Sequence, residues 1–133
     1  MQPLASHPGE IDVLIVDDNA HMRALLGAML ECFGGMRIRQ AGCGREALEL
    51  IAQAPADLLL LDYILPDMSG LDVLRDIRAA PRGAGAHIIM ITGYDDPRSI
   101  DEARAAGADA FLAKPIDLAA LAQRLEAVTS ARI

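Results

Sequence analysis

Three aspartates, a threonine and a lysine stand at the ends of short apolar runs. Asp17–Asp18 follow IDVLIV, Asp62 follows DLLLL, Thr92 follows HIIMI, and Lys114–Pro115 follow AFLA. Carboxylates gathered in one place repel, and each holds its proton more tightly unless a cation joins them. A few hard oxygen ligands with room left for water suit Mg²⁺ better than zinc or a caged calcium. Lys114 offsets one more negative charge, so the set is built to hold Mg²⁺ and an additional anion. A carboxylate, a divalent metal, an ammonium and a hydroxyl are what phosphoryl transfer asks for, because its barrier lies in positioning and charge neutralisation.

These residues can meet only if the apolar runs are neighbouring strands. The runs are Ile11–Val16, Met36–Gln40, Asp57–Leu61, His87–Ile91 and Ala110–Ala113. Four are almost continuously apolar, as strands covered on both faces of a parallel sheet are. The second, MRIRQ, alternates and suits a half-covered edge. Between them lie amphipathic stretches: Met22, Leu25, Leu26, Met29, Leu30 and Phe33 share helical spacing and are closed by Gly34–Gly35. Asp18 or Asn19 is placed to cap this first helix. Ser69 caps a helix carrying Leu71, Leu74 and Ile77, with Asp72 near its start. Asp96–Pro97 opens another that Gly107 stops. Asp117 caps the last, with Leu118, Leu121, Leu125 and Val128 on one face. Five such βα units predict an α/β fold, a doubly wound five-stranded parallel sheet of order 2-1-3-4-5 with helices on both faces. In that fold ligands bind beyond the carboxyl ends of the strands, where the winding reverses between strands 1 and 3.

A chain of 133 residues makes one domain, and 53% hydrophobic residues with 23% charged fits a folded protein. With 3% aromatics and no Trp, the core must be aliphatic. A net charge of −7 argues against direct nucleic-acid binding and against an anionic membrane surface. No apolar run approaches the ~18 residues of a membrane span. Cys32 and Cys43 read as reduced thiols of a cytoplasmic protein. MQPLASHPGE lacks the pattern of a signal peptide, and residues 1–9 read as a loose, flexible tail.

The sequence resembles the receiver domain of two-component response regulators, in particular stand-alone receivers of the chemotaxis-regulator kind, whose fold is flavodoxin-like. The resemblance rests on VDDN at 16–19, LDYILPDMSG at 61–70, MITG at 90–93 and AKP at 113–115, in that order, and assigns residues 10–130 to the receiver domain. It implies that Asp62 takes a phosphoryl group from a phosphohistidine on a sensor histidine kinase or histidine phosphotransfer protein. It further implies that Asp18 ligates Mg²⁺, with Asp17 acting through water or as a second acid, and that the Ile64 carbonyl is another ligand. Lys114 pairs with a phosphoryl oxygen, Thr92 moves to bond it, Gly93 leaves space beside it, and Phe111 swings inward when Thr92 moves. The Lys114–Pro115 bond is expected to be cis.

Output is then expected through a downstream protein on the face of helix 4, strand 5 and helix 5, from a monomer or a weak phosphorylation-dependent dimer. The chain stops soon after its fifth helix, so a stand-alone regulator is expected, with a receiver piece of a longer product as the alternative. An aspartyl-phosphate phosphohydrolase would want an acid two residues past Asp62, where Ile64 stands. A degenerate receiver acting only as a binding module is disfavoured by the intact constellation. Ile64 and Tyr94, flanking the phosphate, are expected to hinder water and slow dephosphorylation. Asp67 reads as turn chemistry with Pro66 and Gly70, and His21 as a solvated side chain. His7 and His87 carry no signal, and Met22, Met29, Met36 and Met90 read as core.

Overall fold

The computed structural model describes residues 10–80, 85–93 and 97–132, the last few by backbone alone. The N-terminal tail, Tyr94 and Asp96 lie outside the described residues. Strands β1 (Ile11–Val16), β2 (Met36–Ala41), β3 (Leu58–Asp62), β4 (His87–Thr92) and β5 (Ala110–Ala113) alternate with helices α1 (Ala20–Glu31), α2 (Gly44–Gln53), α3 (Gly70–Ala79), α4 (Pro97–Ala106) and α5 (Leu118–Arg132). The sheet is parallel with order β2-β1-β3-β4-β5. The expected α/β architecture and strand order hold.

Alternation along each central strand builds two cores. Leu14, Val16, Leu59, Leu61, Ile88 and Met90 join a cluster with Ala47, Ile51, Leu74, Ile77 and Ala103, from α2, α3 and α4. Val13, Ile15, Leu58, Leu60, Ile89 and Ile91 join Leu26, Leu30, Leu121, Leu125 and Val128, from α1 and α5. Successive side chains of a strand point to opposite faces, so an unbroken apolar run is what a twice-covered strand requires. β2 is the half-covered edge, with Met36 to Arg39 all partly exposed.

The helix ends follow local chemistry. The Asn19 side chain, rather than Asp18, caps α1, accepting from the His21 and Met22 amides at 2.8 and 3.1 Å. Ser69 Oγ accepts from the Leu71 amide, and Asp117 Oδ2 from the Ala120 amide. Gly34 and Gly35 leave α1 with φ of 72° and 70°, a left-handed pair that favours glycine.

Two readings of helical spacing need correction. α1 ends at Glu31, and Phe33 in the turn beyond it is exposed, as is Leu25 on the helix itself. Leu118 on α5 is also exposed. A helix resting on a flat sheet buries a narrow stripe, so the outermost apolar positions of a wide one face solvent. β3 and β4 end on Asp62 and Thr92, one residue past their apolar runs.

Candidate functional site

The carboxyl ends of β1, β3, β4 and β5 open onto a cleft of about 450 Å³ lined by Asp18, Asp62, Tyr63, Ile64, Thr92, Gly93 and Lys114. Strand register brings these groups together: β3 pairs with β1 on one side and β4 on the other, and β4 pairs with β5. One carboxylate oxygen each of Asp17, Asp18 and Asp62 lie within 4.8 Å of one another. Asp17 and Asp62 are buried, while Asp18 is exposed at the mouth.

The two buried carboxylates are each held by the loop that follows them. Asp17 Oδ1 accepts from the Asn19 amide at 2.8 Å, so the residue that caps α1 also orients Asp17. The Asp17 carbonyl accepts from Arg23 Nη1 at 2.7 Å, and Arg23 Nε donates to Gln40. Asp62 Oδ1 accepts from the Ile64 amide at 3.2 Å. Lys114 reaches between the acids, donating to Asp62 Oδ2 at 3.0 Å and standing 3.3 Å from Asp17 Oδ2. Its backbone amide donates to the Thr92 carbonyl at 2.9 Å, and the Lys114–Pro115 bond is cis as expected.

Burial raises the pKa of the Asp62 carboxyl. The Lys114 and Ile64 hydrogen bonds oppose that, and the charge of Asp17 adds to it. For Lys114, partial burial works against the ammonium but is outweighed by the hydrogen bond and charge of Asp62 and by Asp17, so its pKa is raised. One lysine therefore does not neutralise the acids.

The acids also pass a test for a hard cation. Asp17 Oδ2 is buried and satisfies no hydrogen bond, despite the nearby Lys114 ammonium. A buried carboxylate oxygen without a hydrogen bond, facing two further acids, fits a divalent ion with oxygen ligands.

The remaining expected residues fall as follows. Thr92 is buried on the cleft wall. A Cβ built on Gly93 would meet nothing within 4 Å, so the expected open space is present. Ile64 stands exposed at the mouth. Phe111 is partly buried against the core and lies under the Arg104 guanidinium, 5.3 Å from it. His21 is exposed, as expected. His87 is not featureless: its Nδ1 is 3.9 Å from Asp109, and its buried Nε2 has no partner.

The reading of Asp67 as turn chemistry is the main correction. Its carboxylate leaves its own loop and accepts from the Gly44 and Arg45 amides, at 2.8 and 2.9 Å, at the start of α2. Those two bonds hold its pKa below the ordinary value. Sequence reasoning missed Arg23 altogether and confined Asp67 to its own turn. The available signal for Asp67 was that α2 opens with Cys43-Gly44-Arg45, which offers no side chain suited to capping.

The family model of the response regulator receiver domain matches residues 13–126. The probable chemotaxis protein CheY of Rhizobium etli is 33% identical over 122 residues, covering 92% of this chain and 95% of that protein. A probable cyclic di-GMP phosphodiesterase of Vibrio cholerae is 34% identical over 113 residues, 85% of this chain but 25% of that protein. The solved structure of chemotaxis protein CheY4 of Vibrio cholerae superposes with a TM-score of 0.83 at 29% identity, covering 90% of this chain and 98% of the other. With the acids, the lysine and the strand order in place, the chain belongs to the response regulator receiver domain family of two-component signalling proteins.

Proposed function

We propose that Asp62 is the phosphoacceptor of this receiver. It would take a phosphoryl group from a phosphohistidine on a sensor histidine kinase or histidine phosphotransfer protein. The carrying observation is that Lys114 bridges Asp62 and Asp17 while a buried oxygen of Asp17 has no hydrogen bond. Asp17, Asp18, Asp62 and the Ile64 carbonyl would hold Mg²⁺, which supplies charge neutralisation when bound. The Asp62 oxygen attacks phosphorus, the bond from phosphorus to the donor nitrogen breaks, and an acyl phosphate results. Lys114 pairs with the incoming phosphoryl oxygens and Thr92 donates its hydroxyl to them.

The added charge would bias Thr92, and through it Phe111, between two packings. Phe111 lies against Arg104 of α4 and its carbonyl accepts from Arg124 of α5, which supports output to a downstream protein through the α4–β5–α5 face. We assign residues 10–130 to the domain. A cytoplasmic setting is part of the same proposal, supported by the two free cysteines. The unphosphorylated chain would be a monomer, with at most weak dimerisation on phosphorylation.

Intact mass after exposure to a small phosphodonor tests the proposal. With Mg²⁺ a single, stable phosphoryl adduct is expected, mapping to Asp62, and with a chelator far less. Rapid turnover of donor without an adduct would favour a phosphohydrolase, and no adduct at all would leave a binding module.

Ile64 is expected to shield the acyl phosphate. It stands exposed at the mouth of the cleft, where a bulky apolar group obstructs in-line attack by water. Ile64→Asn should shorten the phosphate's half-life several-fold, and Tyr94→Glu is expected to act in the same direction. Decay followed by loss of adduct mass checks this, and unchanged half-lives would remove the explanation.

A further inference from the structure

We infer that Asp67 is a positioning residue: it staples the loop that follows Asp62 to the first turn of α2, and thereby sets the pose of Ile64 beside the phosphoacceptor. The inference rests on the reading of Asp62 and Ile64 just given.

The loop is closed at its base and tied at its tip. At the base, the Gly70 amide donates to the Tyr63 carbonyl at 2.7 Å, and Ile64 pairs with Ser69 in an antiparallel bridge. Gly70 permits this closure because a Cβ there would collide with the Asp62 carbonyl oxygen. At the tip, the two oxygens of Asp67 take one amide each from Gly44 and Arg45. These are the first two N–H groups of α2, which have no partner within the helix. The residue preceding them, Cys43, makes no side-chain cap bond, so the cap comes from 22 and 23 residues away.

Apolar packing seats the same tip. A Cβ on Gly44 would run into the side chains of Met68 and Val73, so Met68 lies directly on the start of α2. Charge-assisted bonds to two amides and a methionine on a glycine together fix the loop from outside. What they fix is chemical: the Ile64 amide donates to Asp62 Oδ1, and the Ile64 carbonyl is the proposed metal ligand. A loop free at its tip would open more often at its base and lose its defined height above the acids.

The experiment compares Asp67→Ala, Asp67→Asn and Glu46→Ala. Glu46 Oε1 accepts from the Gly42 amide at 2.7 Å, so its loss weakens the same helix end without releasing the loop. Amide exchange in metal-free protein should show the Gly70 N–H exchanging roughly tenfold faster in Asp67→Ala, about one cap's worth of local stability. Asp67→Asn, which keeps one acceptor, should recover part of this, and Glu46→Ala none of the effect. The initial rate of phosphorylation by a small phosphodonor should fall several-fold in Asp67→Ala and stay within about twofold in Glu46→Ala. Unchanged Gly70 exchange in Asp67→Ala would overturn the staple, as would an equal change in Glu46→Ala. Faster exchange with an unaltered phosphorylation rate would overturn the positioning role. A wild-type chain that takes no phosphate yet shows the exchange change would sink the reading of Asp62 and leave the staple standing.

Discussion

Asp62→Asn is expected to abolish the phosphoryl adduct and, in the same protein, to raise its melting temperature. The first effect follows because an amide is not a nucleophile toward phosphorus under these conditions, so adduct mass should fall to background. The second follows from electrostatics. The folded-state pKa of Asp62 lies above its ordinary value of 3.8, chiefly through burial, with Asp17 adding to it. The folded chain therefore binds this proton more tightly than the unfolded chain does. Below pH 3.8 both states hold it and Asp62 costs nothing through ionisation. As pH rises through the folded-state pKa, the carboxylate must ionise in a buried acidic site, and stability falls. Asparagine keeps the shape, can still accept from Lys114, and carries no charge.

In a chelator at neutral pH the variant should melt a few degrees higher, as about 1 kcal/mol does in a domain of this size. The gap should close as the pH is lowered below the ordinary carboxyl value. Lys114 works in the opposite sense: its pKa is raised, so its stabilising contribution persists through neutral pH and is lost only as the pH climbs past that raised value. Calorimetric scans at pH 7 and at acid pH check both ends. A variant that melts no higher than the wild type at pH 7 would mean that Lys114 already balances the acids. Persistence of the adduct would mean that phosphate goes elsewhere.

Arg78→Ala should cost about 3 kcal/mol, far from the phosphoacceptor. Arg78 projects from α3 and closes a gap between β4, β5 and the end of α4. Its Nε and Nη2 both donate to the Gly107 carbonyl, at 3.0 and 2.8 Å. Nη1 donates to the Ala86 carbonyl at 2.6 Å, and Nη2 also reaches Asp109 Oδ2 at 2.7 Å. Asp109 in turn accepts from the Ile88 amide at the start of β4. Truncation strands the two carbonyls and leaves Asp109 Oδ2 with the Ile88 amide alone, and each unsatisfied buried acceptor costs roughly 1–3 kcal/mol. The side chain of Asp109 is 39% exposed, so water recovers part of its share. The carbonyls carry most of the loss.

Lysine cannot reproduce the planar fork, so Arg78→Lys should regain less than half of the stability. Urea unfolding should show a lower midpoint with an unchanged slope. Without urea, adduct formation on Asp62 should remain normal, because none of these bonds reaches the cleft. A loss under about 1 kcal/mol would show that solvent substitutes for the guanidinium.

The cores and the strand order were open to a reader of the sequence because each depends on near neighbours. Whether Leu59 and Leu60 point to opposite faces is decided by the two-residue repeat of an extended chain. Five runs separated by helical spacing leave few ways to wind a parallel sheet. The caps at Asn19, Ser69 and Asp117 belong to the same class, since a side chain bonds an amide two or three positions on. Once the strands are placed side by side, residues 17, 62, 92 and 114 must share a rim, and the chemistry of their side chains names the reaction.

What tertiary structure alone decided lies across loops. Asp67 faces the amides of α2 and Arg78 the carbonyls of Ala86 and Gly107 only because three separate helices settle on one sheet face. Arg23 finds the Asp17 carbonyl only after α1 packs beside β2. The burial of α1 was misread in the same way: six apolar side chains at helical spacing define a stripe, but the width of the sheet beneath decides that Leu26 and Leu30 enter it while Leu25 stays in water. Periodicity is a property of the chain and its near neighbours. Which amide, carbonyl or acid a long side chain meets is a property of distances between elements, and the sequence alone determined the first while packing decided the second.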